Sequence, residues 1–456
     1  MRILFLRPKP SAKTVGLQHV MLVEPLELEV LASMLNSADT PVIVDMILEK
    51  KSLEYFIHRE QPDILCVTGY ITNVPAMIRY CQVAKKMLPG IITIVGGVHC
   101  EVCPEDLNDK SIDYRVVRNA TTVFPRLLEH IRGKRKLSKG ILRPGDHVSP
   151  SELPPFDFYF PVPDRSLTAR YRKNYFYIFH NRVALIKTAF GCPYVCNFCF
   201  CREITKGAYH ERNLDEVIDE LISIKEKDIY IVDDDFLTSR IRVRKFIEAI
   251  RSAKLDKHYL IYGRADFIVK NPDIIRDFRS IGLRTVIVGF ESFSDQELRR
   301  YNKNTDAKTN EEAITVLNAN NIDCYATIIL PPDWGKEEFA HCRDKLRALG
   351  VHYVNLQPLT PLPGTGLEVN DKSLIIPYSD FSRWDLAHVT IQPEKMSVAN
   401  YYKNILKLYN SVLFQPRFLM DYIRKYNVFM LCKMIKGSLM VWRQYMAKIR
   451  EAKQNA

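Results

Sequence analysis

Four of the chain's eleven cysteines crowd into one short stretch, Cys192, Cys196, Cys199 and Cys201 in GCPYVCNFCFC. Three thiols spaced Cys-x3-Cys-x2-Cys cannot all pair with one another, and an odd total does not make a disulfide framework. In a reducing compartment such crowding points to metal binding or catalysis. Three thiolates can hold three irons of a [4Fe–4S] cluster and leave the fourth iron open. A zinc knuckle is the alternative, but zinc would want four ligands. Cys201 could supply the fourth, yet it lies only two residues after Cys199. The cluster is the preferred reading.

Other chemistry-bearing residues close apolar runs downstream. Asp233, Asp234 and Asp235 end DIYIVDDD, Arg264 sits in YGRAD, and Glu291 ends VGFE. Each also has a plainer reading: an Asp run after a strand often caps a helix, and an Arg at a strand end often makes a surface ion pair. The runs themselves alternate with helical spacings over residues 181–370. They give six βα-type units, short of the eight in a closed barrel.

Residues 1–135 alternate in the same way, from RILFL through PVIVDMIL, DILCVTGY and IITIVGG to DYRVV. Strands alternating with helices predict a parallel, doubly wound sheet, whose ligands sit beyond the carboxyl ends of the strands. Residues 136–180 are rich in proline and turn residues and read as a linker. Residues 371–456 read as mostly helical. The expected fold is therefore α/β: a Rossmann-like front domain, a partial barrel and a helical C-terminal region.

Composition sets the outer limits. The chain has 456 residues, 47% hydrophobic and 26% charged, which excludes disorder. Lys+Arg 65 against Asp+Glu 53 gives +12, which alone does not choose among nucleic acid, anionic lipid and an acidic small molecule. No apolar run is long enough to span a membrane. The first residues, MRILFLRPKPSAK, read as a strand rather than a signal peptide, so a cytoplasmic location is expected.

The cysteine spacing, Phe198 before the third cysteine and the following βα units resemble the radical S-adenosylmethionine superfamily over roughly 185–370. The resemblance implies a partial (β/α)6 barrel and reductive cleavage of S-adenosylmethionine to a 5′-deoxyadenosyl radical. It makes Cys192, Cys196 and Cys199 the cluster ligands. It places Phe198, Asp233, Asp234, Asp235, Arg264 and Glu291 around S-adenosylmethionine: the aspartates toward the methionine ammonium, Arg264 toward its carboxylate, Glu291 toward the ribose. PLTPLPGT (358–365) resembles the turn after the sixth strand in one branch of the superfamily.

The front domain resembles the cobalamin-binding domain of the cobalamin-dependent members. The matching pieces are Glu24-Pro25-Leu26, Val44-Asp45, Pro62-Asp63-Ile64, VTGYITN (67–73) and IVGGVH (94–99). By that resemblance Thr68, Gly69, Tyr70, Gly96, Gly97 and His99 contact cobalamin. The Asp-x-His-x-x-Gly motif is missing, which implies that no histidine ligates the lower face of the cobalt. Two departures stand out. Glu27 replaces the glycine of a Pro-Leu-Gly-Leu run, and Arg118-Asn119-Ala120-Thr121 replaces Gly-Glu-Gly-Glu.

The family resemblance implies C-methylation of an unactivated carbon in a small-molecule, lipid or peptide substrate, with an external flavodoxin- or ferredoxin-type electron donor. Ring formation or rearrangement without methyl transfer is the alternative. A methylthiotransferase would need a second cysteine triad, which Cys66, Cys81, Cys100 and Cys103 do not make, so nucleic acid is not the expected partner. A non-catalytic cobalamin sensor is disfavoured by the intact cysteine loop. The basic, aromatic tail reads first as a helical cap and second as a peripheral membrane contact.

Overall fold

The structure is a computed structural model that describes residues 1–415, 422, 423, 426 and 428–454. Six strands build the front sheet: β1 (Arg2–Arg7), β2 (Thr40–Asp45), β3 (Ile64–Thr68), β4 (Ile92–Gly96), β5 (Tyr114–Val116) and β6 (Ile141–Leu142). Their spatial order is β2-β1-β3-β4-β5-β6, and only β6 runs antiparallel. Ile3, Leu4, Phe5 and Leu6 of β1 are all buried. A continuous apolar run of this kind fits a parallel strand covered by helices on both faces. The strand order reverses at β1, so the crevice opens at the carboxyl ends of β1 and β3. Arg7 and the Thr68-Gly69-Tyr70 turn lie there.

The barrel follows with β7 (Ala184–Ile186), β8 (Asp228–Ile231), β9 (His258–Gly263), β10 (Leu283–Glu291), β11 (Asp323–Leu330) and β12 (Tyr353–Pro358). They pair in chain order and all in parallel, and β7 and β12 do not meet. The sheet is therefore an open, partial barrel. Its outer face packs on helices, with Phe246, Ile275, Phe278, Ile314 and Leu346 in one large core. Its inner face carries Tyr230, Leu260 and Ile287, which pack with Leu26 and Val30 of the front domain's first helix.

The stretch 136–180, expected as a linker, does more than connect. It supplies β6 to the front sheet and a ten-residue 3-10 helix, Arg165–Asn174. A two-residue edge strand is too short to leave a periodic signal. The 3-10 helix joins the two sheets by charge: Arg165 reaches Glu220 (2.7 Å) and Arg172 reaches Glu226 (2.9 Å), while Glu24 accepts from the Leu185 N–H. Glu29 is fully buried at this joint, where it accepts from the Thr168 hydroxyl. Burial pushes its pKa up to about 7, with Thr168 and Arg165 opposing. The folded carboxyl thus holds its proton more tightly than the unfolded one, and stability falls as pH rises through that range. The melting temperature of the cofactor-free protein is expected to drop between about pH 5 and about pH 8. Glu29→Gln should flatten that drop; an unchanged slope in thermal melts at several pH values would remove Glu29 as its source.

After the barrel, residues 371–397 are largely irregular, and helices Val398–Leu413 and Val428–Gln454 pack against each other and the barrel. Part of the tail expected to be helical (416–421, 424, 425, 427, 455 and 456) lies outside the described residues. Among the described residues no helix is long and apolar enough to cross a membrane.

Candidate functional site

The cysteine loop is held from both sides. Ala189–Phe190 before it pairs with His210–Glu211 after it. Gly191 has φ +76°, and a Cβ there would lie 1.9 Å from the Ala208 carbonyl oxygen, so the loop can enter only through glycine. The segment after β10 supports the far side. Asn197 N–H donates to the Tyr301 carbonyl (3.2 Å), and Asn302 Nδ2 donates to the Val195 carbonyl (2.9 Å).

Arg264, at the end of β9, covers the Tyr194 ring at 3.8 Å. Its Nη2 donates to the Lys303 carbonyl (2.8 Å), and its Nη1 lies 3.9 Å from Cys196 Sγ. Burial raises the Cys196 thiol, and Lys303 and Arg264 oppose it. Cys192 is pushed up to about 12 by burial. Cys199 is held below its ordinary value by a hydrogen bond from Cys201, which stays a thiol. Cys201 thus acts on Cys199 as a donor. Two cations beside the loop favour the thiolates that a cluster needs.

The three aspartates divide. Asp233 accepts from Thr188 N–H (2.6 Å), Ala189 N–H (3.0 Å) and the Thr188 hydroxyl, which ties β8 to the end of β7. Its oxygens are committed to the fold. Asp234 accepts from Gly191 N–H (3.0 Å) and remains partly open. Asp235 accepts from Leu237 N–H (3.1 Å) through Oδ1, while Oδ2 is buried without a partner. Burial pushes its carboxyl up to about 7, against the pull of Arg264. A buried carboxylate oxygen left unpaired is costly, so a donor from a bound molecule fits there.

Glu291 has φ +64°, and the register between β10 and β11 shifts beside it. A non-glycine residue in the left-handed region at a strand end is held there by its surroundings. Its carboxylate meets Lys303 Nζ at 3.0 Å. A Cβ on Gly289 would lie 2.5 Å from Glu291 Oε1 and 2.9 Å from Lys303 Nζ, so glycine makes the space for this pair. Lys303 was not singled out from the sequence. Burial works against its charge, but Glu291 and Cys196 hold its pKa above the ordinary value. Its signal is Asn302-Lys303-Asn304: both asparagines take left-handed φ, 50° and 53°, and turn the lysine inward. Phe198 meets Tyr301 edge-on at 5.7 Å, with Lys303 Nζ 5.7 Å from its ring centre. Cys196, Phe198, Arg264, Glu291 and Lys303 therefore form one group, with Asp235 within electrostatic reach.

In the front domain, Gly97 has φ +95°, and a Cβ there would lie 2.6 Å from Thr68 Oγ1 and 3.0 Å from Gly69 N. The two strand-end loops touch through this glycine. Gly96 is under no such constraint. Tyr70 keeps 60% of its surface accessible, yet burial of its phenol raises its pKa, with Glu27, Cys201, Tyr262 and Asp234 facing it. Tyr70 thus lies on the front-domain wall nearest these barrel groups. Glu27 behaves likewise: it is exposed, yet burial raises its carboxyl, with Arg7 opposing. His99 does not join this wall. It is buried, with Nε2 2.9 Å from Asp106, which also accepts from the Tyr378 hydroxyl (2.6 Å), and its ring meets Phe381 edge-on. Its place is the joint between the front domain and the post-barrel segment. Arg118, where the sequence departs from Gly-Glu-Gly-Glu, donates to the Ile204 carbonyl just after the cysteine loop and links the two domains.

The unpaired Asp235 oxygen and the glycine-backed cradle at Gly97 both fit bound groups. Known proteins resemble this chain in both halves. Residues 13–128 match the B12 binding domain, and residues 186–346 match the radical SAM superfamily. The hopanoid C-3 methylase of Methylococcus capsulatus is 26% identical over 417 residues, covering 89% of this chain and 79% of that protein. The anaerobic magnesium-protoporphyrin IX monomethyl ester cyclase of Rubrivivax gelatinosus is 26% identical, over 79% of this chain and 67% of its own. The radical S-adenosylmethionine methyltransferase TsrM from Kitasatospora setae, solved with cobalamin and a [4Fe–4S] cluster, shares the fold over 100% of this chain and 99% of its own, with TM-score 0.68 and 16% identity. The enzyme OxsB matches at TM-score 0.61 and 15% identity, and this chain spans 56% of its length.

A B12 binding domain ahead of a radical SAM domain marks the chain as a radical S-adenosylmethionine enzyme. The chain thus pairs a B12 binding domain with a radical SAM domain, and its cofactors are a [4Fe–4S] cluster, S-adenosylmethionine and cobalamin.

Proposed function

We propose that this enzyme methylates an unactivated carbon of a largely apolar small molecule. The observation that carries this reading is the group Cys196, Phe198, Arg264, Glu291 and Lys303 in the barrel, in a chain whose front domain matches the B12 binding domain. When bound, the cluster and S-adenosylmethionine supply a 5′-deoxyadenosyl radical, and cobalamin supplies the methyl group. The chain's own residues bind, orient and enclose. Cys192, Cys196 and Cys199 hold the cluster. Glu291, Lys303, Arg264 and Asp235 offer both charge signs to a zwitterionic S-adenosylmethionine. Thr68, Gly69, Tyr70 and Gly97 bound the cobalamin crevice.

The inner wall favours an apolar substrate. Tyr262 and Tyr325 keep part of their surface accessible there, over a buried layer of Tyr177, Tyr230, Leu260 and Ile287, with ring centres 4.9 to 6.4 Å apart along the chain of tyrosine contacts. Such a surface excludes water and accepts ring faces. The hopanoid methylase relative acts, by its name, on a molecule of this kind. A flavodoxin- or ferredoxin-type protein is the electron donor in this reading.

The cyclase relative supports a second reading, ring formation without methyl transfer. The test is an anaerobic assay with S-adenosylmethionine carrying a deuterated methyl group. Methylation predicts a labelled product and S-adenosylhomocysteine alongside 5′-deoxyadenosine. Formation of 5′-deoxyadenosine and an unlabelled, altered product would favour the cyclase reading.

Glu291→Gln keeps the shape but removes the charge partner of Lys303. It is expected to weaken S-adenosylmethionine binding by about tenfold or more, the scale of one charge-assisted hydrogen bond. Equilibrium binding to the cluster-loaded protein checks this; unchanged affinity would take Glu291 out of the site.

A further inference from the structure

The long C-terminal helix has two apolar faces, and only one has a partner in the fold. On the inner face Met430, Gly437, Tyr445 and Ile449 are buried. Gly437 lets the helix lie against the front domain, since a Cβ there would stand 2.3 Å from the His19 carbonyl oxygen. Tyr445 and Ile449 enter the barrel's core. Lys433 is turned inward as well, 3.3 Å from the centre of the Phe176 ring.

The outer face is the unusual one. Val428, Cys432, Ile435, Leu439 and Trp442 recur at steps of four, three, four and three residues, which puts them on one side of a helix. All five are exposed, with Val428 at 76%, Ile435 at 56% and Leu439 at 52%. Phe429 and Phe414 stand exposed nearby, at 71% and 65%. A solvated helix carries polar residues on its outer face; a stripe of this length rimmed by charge marks an interaction surface.

The rim selects the occupant. Lys436, Arg443, Arg450 and Lys453 are exposed beside or beyond the stripe, and Glu451 is the exposed acid of the helix. A second copy of the chain would bring two such basic rims together at +12 each. An anionic bilayer surface meets both features: its interface takes the apolar side chains and Trp442, and its headgroups attract the lysines and arginines. We propose that the outer face of helix Val428–Gln454 docks the enzyme on an anionic membrane surface, with the helix lying in the interface. This stands apart from the choice of reaction and does not depend on it.

The experiment is vesicle flotation of the full-length, cofactor-loaded protein. The probes are phosphatidylcholine vesicles with and without phosphatidylglycerol, at low and high salt. Binding is expected to the anionic vesicles and to weaken with salt. The variant Ile435→Ser/Leu439→Ser/Trp442→Ser should lose at least about tenfold in partitioning, since each side chain gives up its buried apolar area. A second variant, Lys436→Glu/Arg443→Glu, leaves the stripe intact and should remove the preference for anionic lipid. Both should keep the parent's corrinoid content and melting temperature. Absent flotation with anionic vesicles, or equal flotation of the parent and both variants, would overturn the proposal. So would a stable dimer in light scattering that the serine variant dissolves, because the face would then belong to a second copy.

Discussion

Replacing Cys192, Cys196 and Cys199 together with Ala is expected to abolish the visible absorbance of the cluster and all formation of 5′-deoxyadenosine. Each thiolate holds a different iron in this account, so no partial cluster is expected to survive with the open site in place. The effect follows from geometry as well as from residue type. The loop enters through Gly191, which no other residue can replace without meeting Ala208, and it rests on Tyr301 and Asn302 from the neighbouring strand's loop. Cys201→Ala is the contrasting case. Its thiol donates to Cys199, so the cluster should still assemble. Loss of that hydrogen bond should shift the reduction potential to a more negative value. Iron content, absorbance and a redox titration separate the two variants. A cluster that persists in the triple variant, or fails to form in Cys201→Ala, would mean that the ligand set is wrong.

Gly97→Ala is expected to strip cobalamin from the enzyme while leaving the barrel working. The added Cβ meets Thr68 Oγ1 and the Gly69 backbone in a left-handed conformation that alanine disfavours, so the β3 and β4 loops must part. Both loops border the crevice at the carboxyl ends of β1 and β3, where this account places the corrinoid. Corrinoid content should fall by about tenfold or more, taking a distorted loop to cost at least ~1.4 kcal/mol of binding. Methyl transfer should fall with it. Reductive cleavage of S-adenosylmethionine should continue, because Cys196, Arg264, Glu291 and Lys303 lie in the other domain. Parallel assays of corrinoid, 5′-deoxyadenosine and S-adenosylhomocysteine read this out. Equal loss of all three products would show that the two domains fail together and that the glycine serves folding rather than the cofactor.

Much of this was legible in the sequence because the signals were strong and local. The cysteine spacing survives as a single loop, and six apolar runs become six parallel strands in chain order. Glu291 was readable as a strand-end carboxylate, though its left-handed backbone was not. Lys303 was hidden because it follows a helix rather than a strand, and its approach to Glu291 depends on two asparagine turns. Asp233 and His99 show the opposite limit. Both stand at strand-end positions that suit ligands, yet local hydrogen bonds to Thr188 and Asp106 draw them into the framework. The stretch 136–180 lacked period because its work is done by ion pairs, and Arg165 and Arg172 find Glu220 and Glu226 only in three dimensions. The outer face of the last helix was visible as apolar and basic residues in the sequence. Which of its two apolar sides the protein covers became clear only from the contact of Gly437 with His19.

The central claim is that one chain holds both a cluster and cobalamin, and cofactor content tests it most directly. The protein should be purified without oxygen from cobalamin-fed cells, reconstituted with iron and sulfide, and analysed for iron and corrinoid per chain. The account predicts one corrinoid beside one four-iron cluster, with both retained through gel filtration. A full cluster with no corrinoid, even after reconstitution with cobalamin, would contradict it and leave the front sheet with some other ligand.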